Sequence, residues 1–505
     1  MHQQSFFVSH AQLDEIFQKV RPSQLSHFIN GEFTPSQSKK QLPLICPATE
    51  QILCHVSDGQ KEDVELAVKA AEEAMNSAEW GQLDPKQRQD LLYKLADEWD
   101  KNVEELAQLE ALNNGTPIGV CRYVIKGLTD TWRYSASWID KLGGRVCVTD
   151  KKFHVYTKRE PIGIVGVISP WNFPMWCSLV NVAPALAMGN CVILKPAEQT
   201  PLTALKLADI CQKIGFPKGA FQVVMGDGPN VGAVLVRHSK ISKIAFTGST
   251  EVGRIIMKTA AESNLKQVQL ELGGKSPVVI CNDVNVDEAV KVAAFSIFNN
   301  NGEACTAGSR TFVHADIYDE FIRKLKEHVE SFKIGNNLDE QVNIGPLVDK
   351  EQYERVKSYI EIGQKEGAKL LLGGLHHNDL PNKGYFVKPT IFYDVKDTMR
   401  IASEEIFGPV QSILKWSSFD EVIQRCNHTE FGLAAAIFTK NVDHMFLLSD
   451  RIKAGVVWIN NYHNVFHVAE FGGMKQSGFG REGGEEGIKA WTSLKTVVLQ
   501  LQSNL

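Results

Sequence analysis

The sequence predicts an α/β protein with at least one parallel sheet that carries helices on both faces. Short apolar runs rich in β-branched residues alternate with helical stretches in the second and third hundred residues of the chain. The predicted strands are 162–168, 191–194, 222–225 and 243–246, and the helices between them are 177–188, 202–214 and 229–237. Strands that alternate with helices of about ten to fifteen residues are typical of βαβ units. This region therefore indicates a Rossmann-like domain.

The rest of the chain continues the α/β pattern on both sides of this region. A second α/β stretch runs from about 275 to 470, with strand candidates at 278–280, 310–313 and 456–459. Upstream, residues 62–79 repeat apolar side chains at helical spacing. Asp84 followed by Pro85 is typical of a helix start, and we expect the long amphipathic helix that follows to reach about residue 112.

Two short segments fit neither α/β stretch. Residues 145–158 indicate a hairpin, and residues 495–502 alternate apolar and polar side chains at the end of the chain. Exposed strand edges are usually paired or protected. We interpret both segments as an oligomerisation arm; the alternative is an ordinary edge strand.

Length and composition limit the class of protein. A chain of 505 residues predicts two or three domains. The net charge of −5 leaves no basic excess to neutralise a phosphate backbone, so nucleic acid is not expected as a partner. No uninterrupted apolar run reaches the length of about 18 residues that spans a membrane. The first twenty residues indicate a short amphipathic helix rather than a secretory signal.

Cysteine usage points to a reducing compartment. The ten cysteines form no C-x-x-C pair, and no histidine cluster with zinc spacing accompanies them. We therefore expect free thiols, a cytoplasmic protein and no metal site.

Two polar side chains stand at positions suited to catalysis. Asn172 follows the 162–168 strand between two prolines, and ligands of open α/β sheets bind just beyond the carboxyl ends of strands. A fixed amide donor there suits the stabilisation of an oxyanion. Glu271 ends an alternating apolar run before two glycines, where a buried carboxylate can act as a general base. The alternatives are a turn asparagine that caps the backbone and a salt-bridged surface glutamate.

Cys305 is the candidate nucleophile. Small residues flank it on both sides in the segment Gly302-Glu303-Ala304-Cys305-Thr306-Ala307-Gly308. A reactive thiol needs that clearance and nearby backbone N–H groups. The alternative is a small buried apolar side chain, which is what most cysteines are.

Cofactor signals are weaker one by one. Residues 248–253 follow the 243–246 strand and open a helix, so they predict a phosphate cradle, although the spacing is not G-x-G-x-x-G. Residues 226–228 are a weaker glycine turn. Lys195 and Glu198 follow the 191–194 strand, where an acidic side chain accepts hydrogen bonds from adenosine ribose and repels a 2′-phosphate. This favours NAD over NADP; the alternative is a solvated loop.

Together these stretches resemble the aldehyde dehydrogenase superfamily, in its hydrolytic, non-acylating, NAD(P)-dependent branch. The motifs PWNFP, FTGST, ELGGK, GEACTAGSR, EEIFGPV and FGGMKQSG occur in the family's order and at its spacing, and the resemblance begins at about Phe28. The last motif and the N-terminal region also resemble phenylacetaldehyde-dehydrogenase-like members. The resemblance implies an oxidoreductase that converts an aldehyde to a carboxylic acid through a thiohemiacetal and a thioester.

The resemblance assigns roles to individual residues. It makes Cys305 the nucleophile, Asn172 a donor to the oxyanion and Glu271 the base that activates water. The residues it implies for NAD binding are Ile168, Ser169, Trp171, Lys195, Glu198, Gly228, Phe246, Gly248, Ser249, Val252, Leu272, Glu405 and Phe407. It also implies the aldehyde dehydrogenase fold, with an NAD-binding domain at 20–142 and 161–273, a catalytic domain at 274–476, and oligomerisation strands at 143–160 and 488–505 in a homodimer or homotetramer.

Departures from the family pattern concern the proton path and the substrate pocket. Asn181 stands where a lysine is common, which puts in doubt a proton path through Glu482; glutamate at position 303 is tolerated. The expected pocket residues are Phe173, Trp176, Cys177, Val180, Phe295, Asn299, Thr306, His463, Asn464, Val465 and Phe471. The expected substrates are aromatic, arylalkyl or medium-chain aldehydes. The alternatives are a betaine or amino aldehyde dehydrogenase, a CoA-acylating dehydrogenase, which generally lacks the ELGGK glutamate, and a non-catalytic protein of the same fold.

Overall fold

The computed structural model describes residues 9–375 and 380–501. Its α-helices are α1 (His10–Val20), α2 (Lys61–Asn76), α3 (Pro85–Lys101), α4 (Val103–Asn114), α5 (Ile118–Ser137), α6 (Pro174–Ala187), α7 (Leu202–Ile214), α8 (Ala233–Arg237), α9 (Thr250–Glu262), α10 (Val286–Phe298), α11 (Tyr318–Glu330), α12 (Lys350–Lys365), α13 (Arg400–Ser403), α14 (Phe419–Asn427), α15 (Val442–Arg451) and α16 (Gly484–Lys489).

The strands of the described residues fall into five sheets. They are β1 (His27–Ile29), β2 (Glu32–Thr34), β3 (Gln41–Ile45), β4 (Ile52–Ser57), β5 (Val146–Cys147), β6 (Phe153–Pro161), β7 (Ile164–Ile168), β8 (Cys191–Lys195), β9 (Phe221–Val223), β10 (Ile241–Thr247), β11 (Gln267–Glu271), β12 (Pro277–Ile280), β13 (Arg310–His314), β14 (Lys369–Leu372), β15 (Thr390–Tyr393), β16 (Val410–Trp416), β17 (Phe431–Gly432), β18 (Ala434–Phe438), β19 (Val456–Ile459), β20 (Met474–Lys475), β21 (Gly478–Phe479) and β22 (Thr492–Gln500).

The first large sheet has eight strands in the order β2-β1-β9-β8-β7-β10-β11-β21. Strands β9, β8, β7, β10 and β11 run parallel, and antiparallel strands complete both edges. The parallel strands β7 and β8 are buried along their whole length, as expected for a sheet covered by helices on both faces. This is the doubly wound arrangement predicted for residues 162–246.

The second large sheet has seven strands in the order β14-β15-β16-β13-β12-β18-β19, all parallel except for β14 at one edge. It is built from residues 277–459, as the second α/β stretch of the sequence predicts. Separate buried clusters lie on its two faces, one around Phe392 and Trp416 and the other around Phe298 and Phe321. The molecule is thus an α/β protein with two mainly parallel sheets.

The two segments that fitted neither stretch pair with each other. Strand β22 lies antiparallel to β6 from Thr492↔Pro161 to Gln500↔Phe153, and β5 pairs with the other edge of β6. The sequence therefore located this three-stranded sheet correctly, although residues 502–505 of the proposed arm lie outside the described residues. Whether the sheet joins subunits stays a prediction.

The prediction of one continuous helix from Pro85 to about residue 112 is wrong. It divides into α3 and α4 at Asn102, whose side chain donates to the Glu98 carbonyl oxygen at 2.7 Å. An asparagine side chain that bonds to a nearby backbone carbonyl competes with the helix and favours a break. The start at Asp84 is as predicted, with a capping box between Asp84 and Gln87.

Other predicted boundaries move by a few residues for local reasons. The strand expected at 162–168 begins at Ile164, because Gly163 has a positive φ of 121° that separates it from β6. The helix expected at 229–237 is a π-helical turn, Gly228–Gly232, followed by the short α8. The strand expected at 222–225 ends at Val223, and the Met225 N–H bonds to His27 Nδ1 instead. Within the described residues, no helix is long and apolar enough to cross a membrane.

Candidate active site

The carboxyl ends of four neighbouring strands form the floor of the site. Ile168 of β7 is in register with Lys195 of β8 on one side and Phe246 of β10 on the other. One rung further along, Thr247 of β10 is in register with Glu271 of β11. Because these strands are parallel, the segments that follow them emerge at one edge of the sheet. Lys195 and Glu271 therefore lie on the same side of the molecule although they are distant in sequence.

A cleft of about 2490 Å³ opens along this edge and extends to the second sheet. It brings together most of the side chains singled out in the sequence. Those that line it are Asn172, Glu271 and Cys305; Trp171, Gly248, Ser249, Leu272, Glu405 and Phe407; and Phe173, Trp176, Cys177, Phe295, Asn299, Thr306, His463, Asn464, Val465 and Phe471. The three residues predicted to be catalytic thus share one cavity.

Other predicted residues lie beside this cleft rather than in its lining. The nucleotide candidates outside it are Ile168, Ser169, Lys195, Glu198, Gly228, Phe246 and Val252. Val180, expected in the substrate pocket, instead lines a separate side cavity of about 30 Å³, together with Trp176 and Glu482. Val180 lies on a different side of α6 from Cys177, where the side cavity is bordered by helix α5 and the 465–488 segment.

Left-handed asparagines hold the segment that leads to Cys305. Asn300 and Asn301 have positive φ angles of 50° and 57°. The Asn301 amide nitrogen donates to the carbonyl oxygens of Gly115 and Pro346, at 3.3 and 3.0 Å, and its oxygen accepts from the Gly345 N–H. Asparagine tolerates this backbone conformation better than most residues. The loop is therefore tied to two distant segments immediately before the nucleophile.

The Asn172 amide has a defined orientation. Its nitrogen donates to the Glu303 carbonyl oxygen at 2.8 Å. The backbone oxygen of Asn172 in turn accepts from the side chains of Asn114 and Asn300, at 3.2 and 3.1 Å. Since only the nitrogen of an amide can donate to a carbonyl, the side chain cannot be flipped. One N–H hydrogen of Asn172 remains available for a ligand in the cleft.

Glu271 is a buried carboxyl without a well-formed hydrogen bond. It is 3% exposed, and within residues 9–375 and 380–501 neither carboxyl oxygen meets a donor in good geometry. Burial raises the pKa of Glu271 well above its usual range, and the carboxylate of Glu482 raises it further. Arg481 and the Gly473 N–H act in the opposite direction, but their effect is smaller. The surface salt bridge considered from the sequence is excluded for this residue, and the arrangement is that of a potential general base.

Cys305 is partly exposed to the cleft, and its thiol is favoured over its thiolate. Burial raises the pKa of this thiol, and the carboxyl groups of Glu405 and Glu271 add to the effect. A hydrogen bond from the Thr306 backbone N–H lowers it. A cation brought close to the sulfur would lower this pKa and so oppose the effect of burial, because a nearby opposite charge favours the ionised form.

His463 and Tyr462 hold Thr306, the residue after the nucleophile. His463 Nε2 lies 3.1 Å from the Ser296 carbonyl oxygen, so Nε2 carries the hydrogen and Nδ1 accepts from the Thr306 hydroxyl at 3.3 Å. The Tyr462 hydroxyl donates to the Thr306 carbonyl oxygen at 2.6 Å. Burial lowers the pKa of His463 to about 4, which keeps the imidazole neutral. Tyr462 carried no signal in the sequence beyond its place beside His463.

Glu405 and Phe407 line the cleft, with Glu405 next to the two glycines that follow Glu271. Glu405 accepts from the Gly274 N–H at 2.9 Å, and burial raises its pKa to about 7. Phe407 has a positive φ of 65°, and its ring meets the Trp171 ring edge-on at 5.2 Å. The two aromatic rings thus contact each other in the lining of the cleft.

The other half of the cleft ends at the start of α9. Ser249 caps this helix by accepting from the Val252 N–H at 3.3 Å, which leaves the remaining N–H groups of the first turn free for an anion. Lys195 Nζ lies 3.1 Å from a carboxyl oxygen of Glu198, whose side chain is 42% exposed. Gly228 adjoins open space in which an added Cβ meets no atom within 4 Å. These groups together suit a ligand that carries phosphate and hydroxyl groups.

Comparisons with known proteins identify the family of this chain and match its fold. The model of the aldehyde dehydrogenase family matches residues 33–497. Human aldehyde dehydrogenase 1A1 is 48% identical over 477 residues, which cover 94% of each chain. A Bacillus cereus aldehyde dehydrogenase solved as an NAD⁺ complex is 43% identical, with a TM-score of 0.93 over 98% of this chain and 100% of the other.

A second solved structure is similar at the same level. It is the indole-3-acetaldehyde dehydrogenase of P. syringae, 38% identical, with a TM-score of 0.94 over 98% of this chain and 100% of the other. The family indicated by the six motifs is thereby confirmed, and so is the α/β fold class. The chain belongs to the aldehyde dehydrogenase family.

Proposed function

We propose that this protein oxidises an aldehyde to its carboxylic acid with NAD⁺, through a thiohemiacetal and then a thioester on Cys305. Membership of the family makes it an NAD-dependent aldehyde dehydrogenase, an oxidoreductase. The observation that carries the mechanism is that Cys305, Asn172 and Glu271 line one cleft, which also reaches the start of α9. A nucleophile, an oxyanion donor and a base are thus present together.

In the first step, the Cys305 sulfur adds to the aldehyde carbon. The free hydrogen of the Asn172 amide faces the oxygen that becomes negatively charged, because the other hydrogen is held by the Glu303 carbonyl oxygen. A preorganised donor of this kind is worth about 3 kcal/mol in the transition state. Asn172 would therefore stabilise the thiohemiacetal oxyanion rather than the ground-state aldehyde.

The groups of the first large sheet suit NAD⁺, which when bound supplies the acceptor for the hydride released from the thiohemiacetal. The first turn of α9, including Ser249, would hold the pyrophosphate. Lys195 and Glu198 would bind the adenosine ribose, and Glu405 and Phe407 the nicotinamide end. Ile168, Ser169, Trp171, Gly228, Phe246, Gly248, Val252 and Leu272 would complete this site. We assign residues 20–142 and 161–273 to the NAD-binding domain and residues 274–476 to the catalytic domain.

In the second step, Glu271 deprotonates the water that hydrolyses the thioester. Its burial and unpaired oxygens support this role, because a carboxyl with a raised pKa is a stronger base at neutral pH than a solvated one. Glu271 also argues for release of the free acid rather than of an acyl-CoA. A product assay that found acyl-CoA without free acid would overturn this choice.

The cleft wall favours an apolar aldehyde with an aromatic ring or a medium-length chain. Phe173, Trp176 and Phe471 line its inner part, and Tyr123 and Phe466 remain strongly exposed at the cleft surface. Aromatic side chains present flat apolar faces that stack on a ring. The similar P. syringae enzyme is named for an arylalkyl aldehyde, indole-3-acetaldehyde. Betaine and amino aldehydes are the alternative class.

The sheet formed by β5, β6 and β22 is proposed as the oligomerisation surface of a homodimer or homotetramer. It leaves Val146, Val148, Leu494, Val498 and Leu499 exposed. Apolar side chains on an exposed sheet favour burial against another chain. The ten free cysteines suit a reducing compartment such as the cytoplasm.

The proposal is tested with an aldehyde panel and a cysteine variant. Phenylacetaldehyde, hexanal and betaine aldehyde are compared by kcat/KM with NAD⁺ and NADP⁺, and Cys305→Ala is compared with wild type. We expect Cys305→Ala to lose all oxidation while it still binds NAD⁺. The matched control is Cys147→Ala, a partly exposed cysteine in the small sheet, which should retain activity. Oxidation that survives in Cys305→Ala would refute the mechanism.

A further inference from the structure

A second buried carboxyl, Glu482, lies beside Glu271 and lines the same cleft. Burial raises the pKa of Glu482 to about 7. Burial also raises the pKa of Glu271, and the charge of Glu482 adds to that effect. Two carboxylates this close cannot both ionise without a compensating charge. The charge of Arg481 lowers the pKa of Glu271 and so partly opposes these effects. Glu482 needs a compensating charge of its own.

Glu482 has no direct cationic partner among the described residues, but a hydrogen-bonded chain links it to one. Lys243 Nζ donates to Gln269 Oε1 at 3.1 Å. Gln269 Nε2 donates to Asn181 Oδ1 at 3.2 Å, and Asn181 Nδ2 donates to Glu482 Oε1 at 2.7 Å. The four side chains come from β10, β11, α6 and the segment before α16.

The direction of this chain is fixed by its first member. A lysine can only donate, so Gln269 must turn its oxygen toward Lys243 and its nitrogen toward Asn181. Asn181 must in turn present its oxygen to Gln269 and its nitrogen to Glu482. Both amide dipoles therefore point the same way, with the positive end toward the Glu482 carboxylate. Aligned hydrogen bonds in a low dielectric polarise one another, so the chain favours a cation at one end and an anion at the other.

Two contacts at the Lys243 site stabilise the charged form of its amine. The residue is 3% exposed, and its Nζ donates to the Ala490 carbonyl oxygen at 2.7 Å and lies 3.9 Å from the centre of the Trp491 ring. An aromatic face attracts a cation. Burial lowers the pKa of Lys243 to about 7, and the carboxylate that opposes this effect is Glu482. The two groups thus act on each other without touching.

We propose that Lys243 is a positioning residue whose charge, transmitted through Gln269 and Asn181, keeps Glu482 ionised so that Glu482 can take the proton that Glu271 removes from the hydrolytic water. This inference rests on the proposed thioester mechanism. The proton transfer is balanced: Glu271 gains a proton from water as hydroxide attacks the thioester, and passes it to the Glu482 carboxylate. Glu482 also borders the side cavity of about 30 Å³, which has room for a water molecule that can carry the proton on.

The direction of the expected pH effect follows from the charges. Three titratable groups, Glu482, Glu271 and Cys177, lie close enough for the charge of Glu482 to raise the pKa values of the other two. Burial raises the pKa of Glu482 itself, and Lys243 is the cation that lowers it. Without that charge the coupled carboxyl pair holds its proton to higher pH. The acidic limb of the pH profile for acid release should therefore move upward, by about one unit for a tenfold change in proton affinity.

The test uses single turnovers of the full chain with NAD⁺ and phenylacetaldehyde, in which NADH formation and carboxylic acid release are followed separately. Lys243→Met removes the charge, and Gln269→Leu interrupts the chain while retaining Lys243. Both variants should form NADH at the wild-type rate, whereas acid release at pH 7 should fall about tenfold and recover at pH 9. If Lys243→Met fails to fold, Gln269→Leu still decides the question.

The matched control is Lys266→Met. Lys266 is another buried lysine, bonded to the Val236 carbonyl oxygen and to Ser263, with its pKa lowered to about 8 by burial and no link to Glu482. It should leave the pH profile unchanged. Profiles of Lys243→Met and Gln269→Leu that superimpose on wild type would overturn the inference, as would an equal shift in Lys266→Met. A wild-type protein that formed NADH without an acyl-enzyme would instead refute the proposed thioester mechanism.

Discussion

The side-chain amide of Asn172 donates to the Glu303 carbonyl oxygen over 2.8 Å, two residues before Cys305. This bond joins the segment after β7 to the segment that carries the nucleophile. It fixes the distance between donor and sulfur, and it fixes which amide hydrogen faces the cleft. The proposed oxyanion site would therefore be formed before substrate arrives, which is the condition under which a hydrogen bond contributes most to catalysis.

Asn172→Asp should impair the first chemical step. The substitution keeps the shape of the side chain but removes both N–H hydrogens, so the oxyanion loses a donor and meets a carboxylate. We expect NADH formation in a single turnover to slow by about a hundredfold or more. NAD⁺ binding, measured by fluorescence titration, should stay within about twofold of wild type. A slowing of less than threefold would show that Asn172 does not face the oxyanion.

Glu271→Gln should separate the two chemical steps. Glutamine retains the size of the side chain but cannot accept the proton of water. We therefore expect one equivalent of NADH per active site, followed by arrest, with an acyl-enzyme detectable by mass spectrometry on Cys305. In wild type, acid release should rise with pH as Glu271, whose pKa burial raises, becomes ionised. Steady turnover of Glu271→Gln at the wild-type rate would contradict the assigned role.

Glu303→Gln should stabilise the protein at alkaline pH. Burial raises the pKa of Glu303 well above its usual range, while one oxygen accepts from the Val348 N–H at 3.1 Å. A carboxyl with a raised folded-state pKa contributes stability below its unfolded pKa and loses it as pH rises through the folded pKa.

The measurement for Glu303→Gln is the free energy of unfolding in urea from pH 6 to pH 9. The wild type should lose about 1.4 kcal/mol per pH unit from the pH at which the unfolded chain ionises up to the raised pKa, and the glutamine variant should lose less. Parallel curves would show that Glu303 is not the group that titrates.

Gly302→Ala should destabilise the nucleophile loop. Gly302 has a positive φ of 75°, and an added Cβ would lie 2.2 Å from the carbonyl oxygen of Gly408, in the backbone segment that leads into β16. Strain and overlap together should cost about 3 kcal/mol of unfolding free energy. The control is Gly127→Ala in α5, where an added Cβ meets nothing within 4 Å and helix propensity favours alanine. Equal melting temperatures for the two variants would contradict this reading.

Glu198→Gln should relax the preference for NAD⁺. The carboxylate of Glu198 lies 3.1 Å from Lys195 Nζ, beside the cleft, in the position proposed for the adenosine ribose. It would repel a 2′-phosphate, and its loss leaves Lys195 free to attract one. We expect the ratio of kcat/KM for NAD⁺ over NADP⁺ to fall by about tenfold. An unchanged ratio would place the adenosine ribose elsewhere.

Much of the fold could be inferred from local pattern. Strands β7, β8 and β10 come from β-branched runs, and helix α7 ends at Gly215. These elements depend on short-range conformational preferences, which can be inferred from the sequence alone. The predicted element boundaries were wrong where a side chain bonded to a nearby backbone carbonyl, as at Asn102, or where a glycine with positive φ turned the chain, as at Gly163. Such competition is decided by a few contacts that periodicity does not record.

The candidate site divides in the same way. The sequence was sufficient to identify Cys305, Asn172 and Glu271 as candidates. Each has unusually small or rigid neighbours in the sequence, and such neighbours are visible within a single segment. The orientation of the Asn172 amide, the placement of Val180 on the side cavity and the chain from Lys243 to Glu482 could not be read in this manner. Each depends on buried side chains from separate segments that meet only in the folded protein. There the partners set the direction of each hydrogen bond, and the neighbours that packing brings close determine whether a buried group is charged.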